Sequence, residues 1–181
     1  MAIVLDFDGT ITTSDTIGIL GEHAISFHKR HRGDDFSDAW KHILREYSND
    51  YSDYVSNYPV PEEERVSFDA EVQFLNGLED LDLVSVTRVE ESGIFDGISP
   101  FDFHADGVAA IRERRVILRP GIAKLLALAA DRAWPVYVVS VNWSRDFIEG
   151  ALQHLGAEMH IFSNQIVAGR RAYHRLLSQN F

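Results

Sequence analysis

Residues 1–16 read MAIVLDFDGTITTSDT, and their reading decides the fold. An apolar run from Ala2 to Leu5 stops at two carboxylates, Asp6 and Asp8, which Gly9 and Thr10 follow. A short continuous apolar run bounded by turn residues predicts a strand buried on both faces, with a turn at its carboxyl end. Burying charge without a partner is costly, so a close acidic pair at such a place serves either chemistry or a plain strand-to-turn junction.

Working outward, Ile17, Leu20, Ala24 and Phe27 recur at helical spacing and predict a helix to about Lys29, with Ser14 or Asp15 as N-cap. From His31 to Arg115 the pattern stays helical or irregular. Phe36, Trp40, Ile43 and Leu44 mark one amphipathic stretch, Val66 to Phe74 with Leu78 mark a second, and a last helix is expected around Phe103 to Arg114. Pro59, Pro61, Gly93, Gly97 and Pro100 interrupt the segment. After Val116 the texture changes to a βα rhythm: VILRPG, a helix with Ile122, Leu125, Leu126 and Leu128, then VYVVS as a second buried strand. Asn142 or Ser144 can cap the next helix, Gly156 can end it, and Met159 to Phe162 reads as a third strand.

The 181 residues are 45 % hydrophobic, which fits one ordinary globular domain with an insertion. The absence of cysteine excludes disulfides and thiolate chemistry and suits an intracellular, cytoplasmic setting. No apolar run is long enough for a membrane span. A net charge of −11 argues against a nucleic-acid partner, which calls for clustered Lys and Arg. The charge is also uneven: Asp34 to Ala110 holds 19 acidic residues against 4 basic ones, while the remainder is net positive. Two compositions in one chain predict two units.

In an open parallel sheet the ligand site lies beyond the carboxyl ends of the strands, where both Asp6 and Ser140 fall. An Asp there can act as a nucleophile, a second carboxylate as proton donor and acceptor, and the hydroxyls of Thr10 and Ser140 can hold a transferred anion. Asp6-Phe7-Asp8-Gly9-Thr10 resembles the first motif of the haloacid dehalogenase superfamily, Asp-x-Asp-x-Thr after an apolar strand. Tyr137-Val138-Val139-Ser140 is similar to its second motif. The succession LRPGI, helix, VVS, helix ending in LG, IFSNQIVAG is similar to the phosphoserine phosphatase-like branch.

That resemblance implies a Rossmann-like α/β core, discontinuous over 1–30 and 115–181, with a large acidic helical cap at 31–114. It implies Mg²⁺-dependent hydrolysis of a small-molecule phosphomonoester. Asp6 would form an aspartyl-phosphate and bind Mg²⁺. Asp8 would be the general acid and base and give its backbone carbonyl to the metal. Thr10, Ser140 and Asn142 are the phosphate-binding candidates, and Asp15 falls where relatives grip a substrate amine. Because a phosphate ester's alkoxide needs an acid and a halide does not, Asp8 favours phosphate chemistry over dehalogenation.

The chain departs from the pattern in two ways. No Lys follows Lys124 and no acidic residue follows Glu158, so a third motif (Lys) and a fourth (Gly-Asp) are missing, with Arg170 or Arg171 as substitutes for the charge. Val141-Asn142-Trp143 also stands where phosphoserine phosphatases carry glycines, which points to another substrate. The first departure predicts a sheet incomplete in its C-terminal half, with an unpaired edge on strand one open to a partner chain. It also predicts a shortened product of a longer gene, and with it the competing expectation of a catalytically impaired fragment that acts by binding or not at all.

Overall fold

The computed structural model describes residues 1–166; the tail from Val167, with Arg170 and Arg171, lies outside the described residues. The protein is a mixed α/β chain with a parallel sheet of three short strands, β1 (Ile3–Leu5), β2 (Val136–Val139) and β3 (His160–Phe162), in the order β1-β2-β3. Ile3 pairs with Val136 and Tyr137 with His160. Seven α-helices accompany it among the described residues: α1 (Ile17–His31), α2 (Ser37–Asn57), α3 (Phe68–Gly77), α4 (Glu79–Ser92), α5 (Pro100–Arg112), α6 (Ile122–Asp131) and α7 (Arg145–Leu152). The chain divides into two compact units, His28–Phe95 and a discontinuous one formed by Met1–Phe27 and the segment from Asp96.

In the sheet-bearing unit, Val136 and Val138 of β2 are buried, as befits the central strand. The expectation that β1 is buried on both faces is corrected. Val4 is 65 % exposed, because the sheet face on which its side chain stands is left uncovered there; β1 is also an edge strand among the described residues. VILRPG forms no sheet strand either; only Leu118 makes an isolated antiparallel bridge, to Thr12.

Ser144 caps α7: its hydroxyl accepts the Phe147 N–H at 3.2 Å, and the residue is fully buried. Ser144→Ala leaves that amide without a partner and is expected to lower unfolding free energy by about 1 kcal/mol in urea titration. The chain leaves α7 through a single tight turn, Gln153–Leu155, and Gly156 ends it at φ 61° in the left-handed region. α5 and α7 pack against each other across two glycines. A Cβ built on Gly107 would stand 2.2 Å from the Phe147 carbonyl oxygen, and one on Gly150 would stand 2.1 Å from that of His104.

α1 and α5 are also joined by a buried charge. Asp106 is 8 % exposed, and its Oδ1 lies 3.3 Å from His23 Nδ1 and 2.8 Å from Arg115 Nη2. Burial pushes this carboxyl up, but the hydrogen bonds from His23 and Arg115 outweigh it and hold the group below the ordinary Asp range. A carboxyl depressed in the folded state stabilises wherever it is ionised, and the gain disappears as pH falls through its folded value. Asp106→Asn is therefore expected to cost about 2 kcal/mol at pH 7, and the gap to the wild type should close as unfolding is measured below about pH 4.

The other unit is helical. α4 packs on α2 and α3, and Arg88 of α4 pairs with Asp50 of α2. The Arg65 guanidinium lies 3.9 Å over the Phe74 ring and pairs with Glu71 at 3.0 Å, so a buried cation is satisfied by π-electrons and a carboxylate together. His28 is fully buried, with Nε2 2.8 Å from the Ile94 carbonyl.

Candidate active site

The site residues stand beyond the carboxyl ends of β1 and β2. Asp6 leaves β1 in extended conformation, and the chain then turns through Asp8 (φ −73°, ψ 123°) and Gly9 (φ 72°, ψ −9°). These are the angles of a type II turn, whose third position requires a positive φ and hence glycine. Phe7 and Ile11 are buried on either side of it, which pins the turn while Gly9 and Thr10 stay exposed. Buried Thr12 closes the loop: its hydroxyl accepts from the Gly9 N–H at 3.0 Å and lies 3.1 Å from the Phe7 carbonyl. Arg119, which sequence reading did not single out, fastens the turn from outside, donating from Nη2 to the Gly9 carbonyl at 2.7 Å and from Nε to the Thr10 carbonyl at 3.3 Å.

The two aspartates of the turn have opposite surroundings. Asp6 is exposed, and its carboxylate has no hydrogen bond or ion pair among the described residues. Asp8 is half-buried and held at both oxygens. The N–H and the hydroxyl of Thr16 donate to Oδ1 at 2.8 and 2.7 Å, and Asn142 Nδ2 donates to Oδ2 at 2.9 Å. Asn142 Nδ2 also donates to Thr16 Oγ1 at 3.0 Å, so both of its N–H bonds are engaged. Its Oδ1 accepts from the Ser144 N–H at 3.1 Å.

Ser140 follows β2 and is 3 % exposed; its N–H donates to the Phe162 carbonyl at 2.9 Å and its hydroxyl accepts the Asn142 N–H at 3.1 Å. Thr10 presents an exposed side chain at the tip of the turn. Asp15 precedes α1 and accepts the Ile17 N–H at 2.7 Å. Its carboxyl is raised above the ordinary Asp value, first by desolvation and then by the charges of Asp8 and Asp6, with the Ile17 hydrogen bond opposing. Asp15 thus feels the charges of both Asp6 and Asp8.

Thr16 is the other residue that sequence reading missed. Its signal was a hydroxyl residue directly ahead of an amphipathic helix whose expected caps were Ser14 or Asp15. Its actual partner lies eight residues back, across the turn.

One carboxylate of the acid pair, Asp6, is open to a hard divalent cation. Mg²⁺ takes oxygen ligands, commonly one or two carboxylates completed by substrate phosphate and water. With Asp8 occupied at both oxygens, Asp6 is the carboxylate of the pair left to such a cation, in a locality with three negative groups. Among the described residues no group of three or more His, Asp or Glu side chains is arranged to hold a metal ion by itself.

A parallel α/β sheet with an acidic type II turn at the end of its first strand defines a Rossmann-like protein, a class in which ligands bind beyond the carboxyl ends of the strands. The chain belongs to the haloacid dehalogenase-like hydrolase family, whose model matches residues 3–179. It is 29 % identical over 158 residues to a CTO1 family protein of Schizosaccharomyces pombe, covering 85 % of this chain and 50 % of that protein. In structure it is similar to cytosolic 5'-nucleotidase IIIB, solved bound to cytidine, with a TM-score of 0.53 and 14 % identity over 92 % of this chain and 50 % of the other. The chain therefore spans about half the length of each relative. No helix among the described residues is long and apolar enough to cross a membrane.

Proposed function

We propose that the protein is a phosphatase-type hydrolase acting on a small-molecule phosphomonoester through an aspartyl-phosphate on Asp6. The observation that carries this reading is the contrast within the acid pair: an unengaged, exposed Asp6 beside an Asp8 held at both oxygens. A nucleophile must be open to substrate, whereas a proton carrier must be placed.

In this reading an Asp6 oxygen attacks phosphorus, the bond to the leaving oxygen breaks, and Asp8 gives that oxygen its proton. Asp8, now ionised, takes a proton from water as the water attacks the phosphorus of the aspartyl-phosphate. Inorganic phosphate leaves and Asp6 is regenerated. Thr10 and Ser140 are assigned to the phosphoryl oxygens, and Asp15 to a cationic group on the substrate. Mg²⁺ would be held by Asp6 and the Asp8 backbone carbonyl, and would supply charge neutralisation of the phosphoryl group. The excess of acidic residues from Asp34 to Ala110 disfavours polyanionic substrates.

Incubating the protein with Mg²⁺ and p-nitrophenyl phosphate tests the reading: release of phosphate that EDTA suppresses is expected, and no release above a blank overturns it. A binding role is the second reading, favoured by β1 being an edge strand among the described residues and by Val4 of that strand standing 65 % exposed. Such an edge offers unpaired backbone groups to a partner strand. A Val4→Lys change that abolishes a self-association seen by analytical ultracentrifugation, with turnover absent from the start, would establish it in place of catalysis.

A further inference from the structure

We infer that Thr16 and Asn142 are positioning residues for Asp8, together setting the orientation from which it exchanges protons with the leaving oxygen and with water; this rests on the proposed phosphatase reading. The three side chains form a closed triangle. Asn142 donates to Asp8 and to the Thr16 hydroxyl, leaving that hydroxyl's own proton for Asp8 Oδ1. The donor direction is thereby settled at every edge, since a hydroxyl that accepts from an amide N–H keeps its single O–H for the carboxylate. The Thr16 N–H adds a third donor to the same carboxylate.

Burial makes the triangle rigid. Thr16 is 1 % and Asn142 3 % exposed, so the bond between them is shielded from water and the donors to Asp8 are held from the buried side. The two residues also arrive from separate elements, Thr16 at the entry to α1 and Asn142 from the loop after β2, where Ser144 holds the amide oxygen. Asp8 is therefore gripped from both sides. A carboxylate on a turn would otherwise have free rotation about its side-chain bonds, and a displacement of about 1 Å is enough to cost a proton transfer much of its efficiency.

A structural role alone would lower all activities equally, whereas misplacing a general acid hurts poor leaving groups selectively. An alkoxide needs the proton; p-nitrophenolate leaves without it. The experiment compares kcat/KM of the full chain and its Thr16→Val and Thr16→Ser variants on an alkyl phosphate and on p-nitrophenyl phosphate, with Mg²⁺ present. Thr16→Val is expected to lose about tenfold or more on the alkyl ester and less than about threefold on the aryl ester, while Thr16→Ser, which keeps the hydroxyl, stays near the wild type. Equal losses on both esters, or none, overturn the inference. If Thr16→Val does not fold, Thr16→Ala makes the same comparison. If the wild type hydrolyses neither ester, the phosphatase reading fails, and crystal structures of the variants decide the positioning question alone. An Asp8 carboxylate that swings away in Thr16→Val and stays in Thr16→Ser upholds the inference, and one that stays in both overturns it.

Discussion

Asp6→Asn is expected to eliminate phosphate release while leaving the fold intact. The amide cannot serve as the attacking carboxylate, and loss of a covalent nucleophile costs on the order of 10⁴-fold or more in turnover. Nothing in the structure is orphaned by the change, because the Asp6 side chain has no hydrogen bond or ion pair among the described residues and is exposed. Removing its charge even relieves repulsion with Asp15, whose raised carboxyl feels both Asp6 and Asp8. Thermal unfolding of the variant should therefore match or slightly exceed that of the wild type, and an activity within tenfold of the wild type would contradict Asp6 as nucleophile. Read together, the two measurements separate a chemical defect from an unfolded enzyme.

The largest effect on stability is expected at Gly150. An added Cβ would meet the His104 carbonyl oxygen at 2.1 Å, a backbone atom on another helix that cannot swing aside as a side-chain tip can. Gly150→Ala must push α7 away from α5, and Gly107→Ala, facing the Phe147 carbonyl at 2.2 Å, must do the same from the other side. Overpacking of this kind costs about 3 kcal/mol, or about 6 to 12 °C in Tm for a chain of this length. The control is Gly18→Ala in α1, where nothing lies within 4 Å of the added methyl. There the helix propensity of alanine should raise stability by about 0.5 to 1 kcal/mol. Identical chemistry thus gives opposite signs, and a destabilised Gly18→Ala or a neutral Gly150→Ala would contradict the packing described.

The three strands were legible because each is a short apolar run ended by a turn or a polar residue, a signal local to four or five residues, and their parallel direction followed from the helices expected between them. The start of α7 was legible for the same reason, since a cap acts within three residues: Ser144 was one of two candidates and its hydroxyl takes the Phe147 N–H. The helical texture from His31 to Arg115 followed from apolar spacing in the same way, and α2 to α5 lie within it. Exposure of β1 was not read from its composition. Ile-Val-Leu has the same hydrophobicity whether or not its sheet face is covered, and only the packing of the folded chain leaves Val4 exposed.

In the site, the Asp6-x-Asp8-x-Thr10 spacing pointed to the family and put two carboxylates at one turn, since a turn that passes through Gly9 at φ 72°, directly after Asp8, is a property of four consecutive residues. What sequence could not determine is how the members of that turn differ. That Thr16 and Asn142, 8 and 134 positions away, both hydrogen-bond to Asp8 emerges only when the chain brings the entry of α1 and the loop after β2 together. Arg119 likewise meets Gly9 across 110 positions. Local spacing encodes which groups can do chemistry; the hydrogen bonds that hold Asp8 at both oxygens come from Thr16 across the turn and from Asn142 134 positions away, and they exist only once the chain has closed on itself.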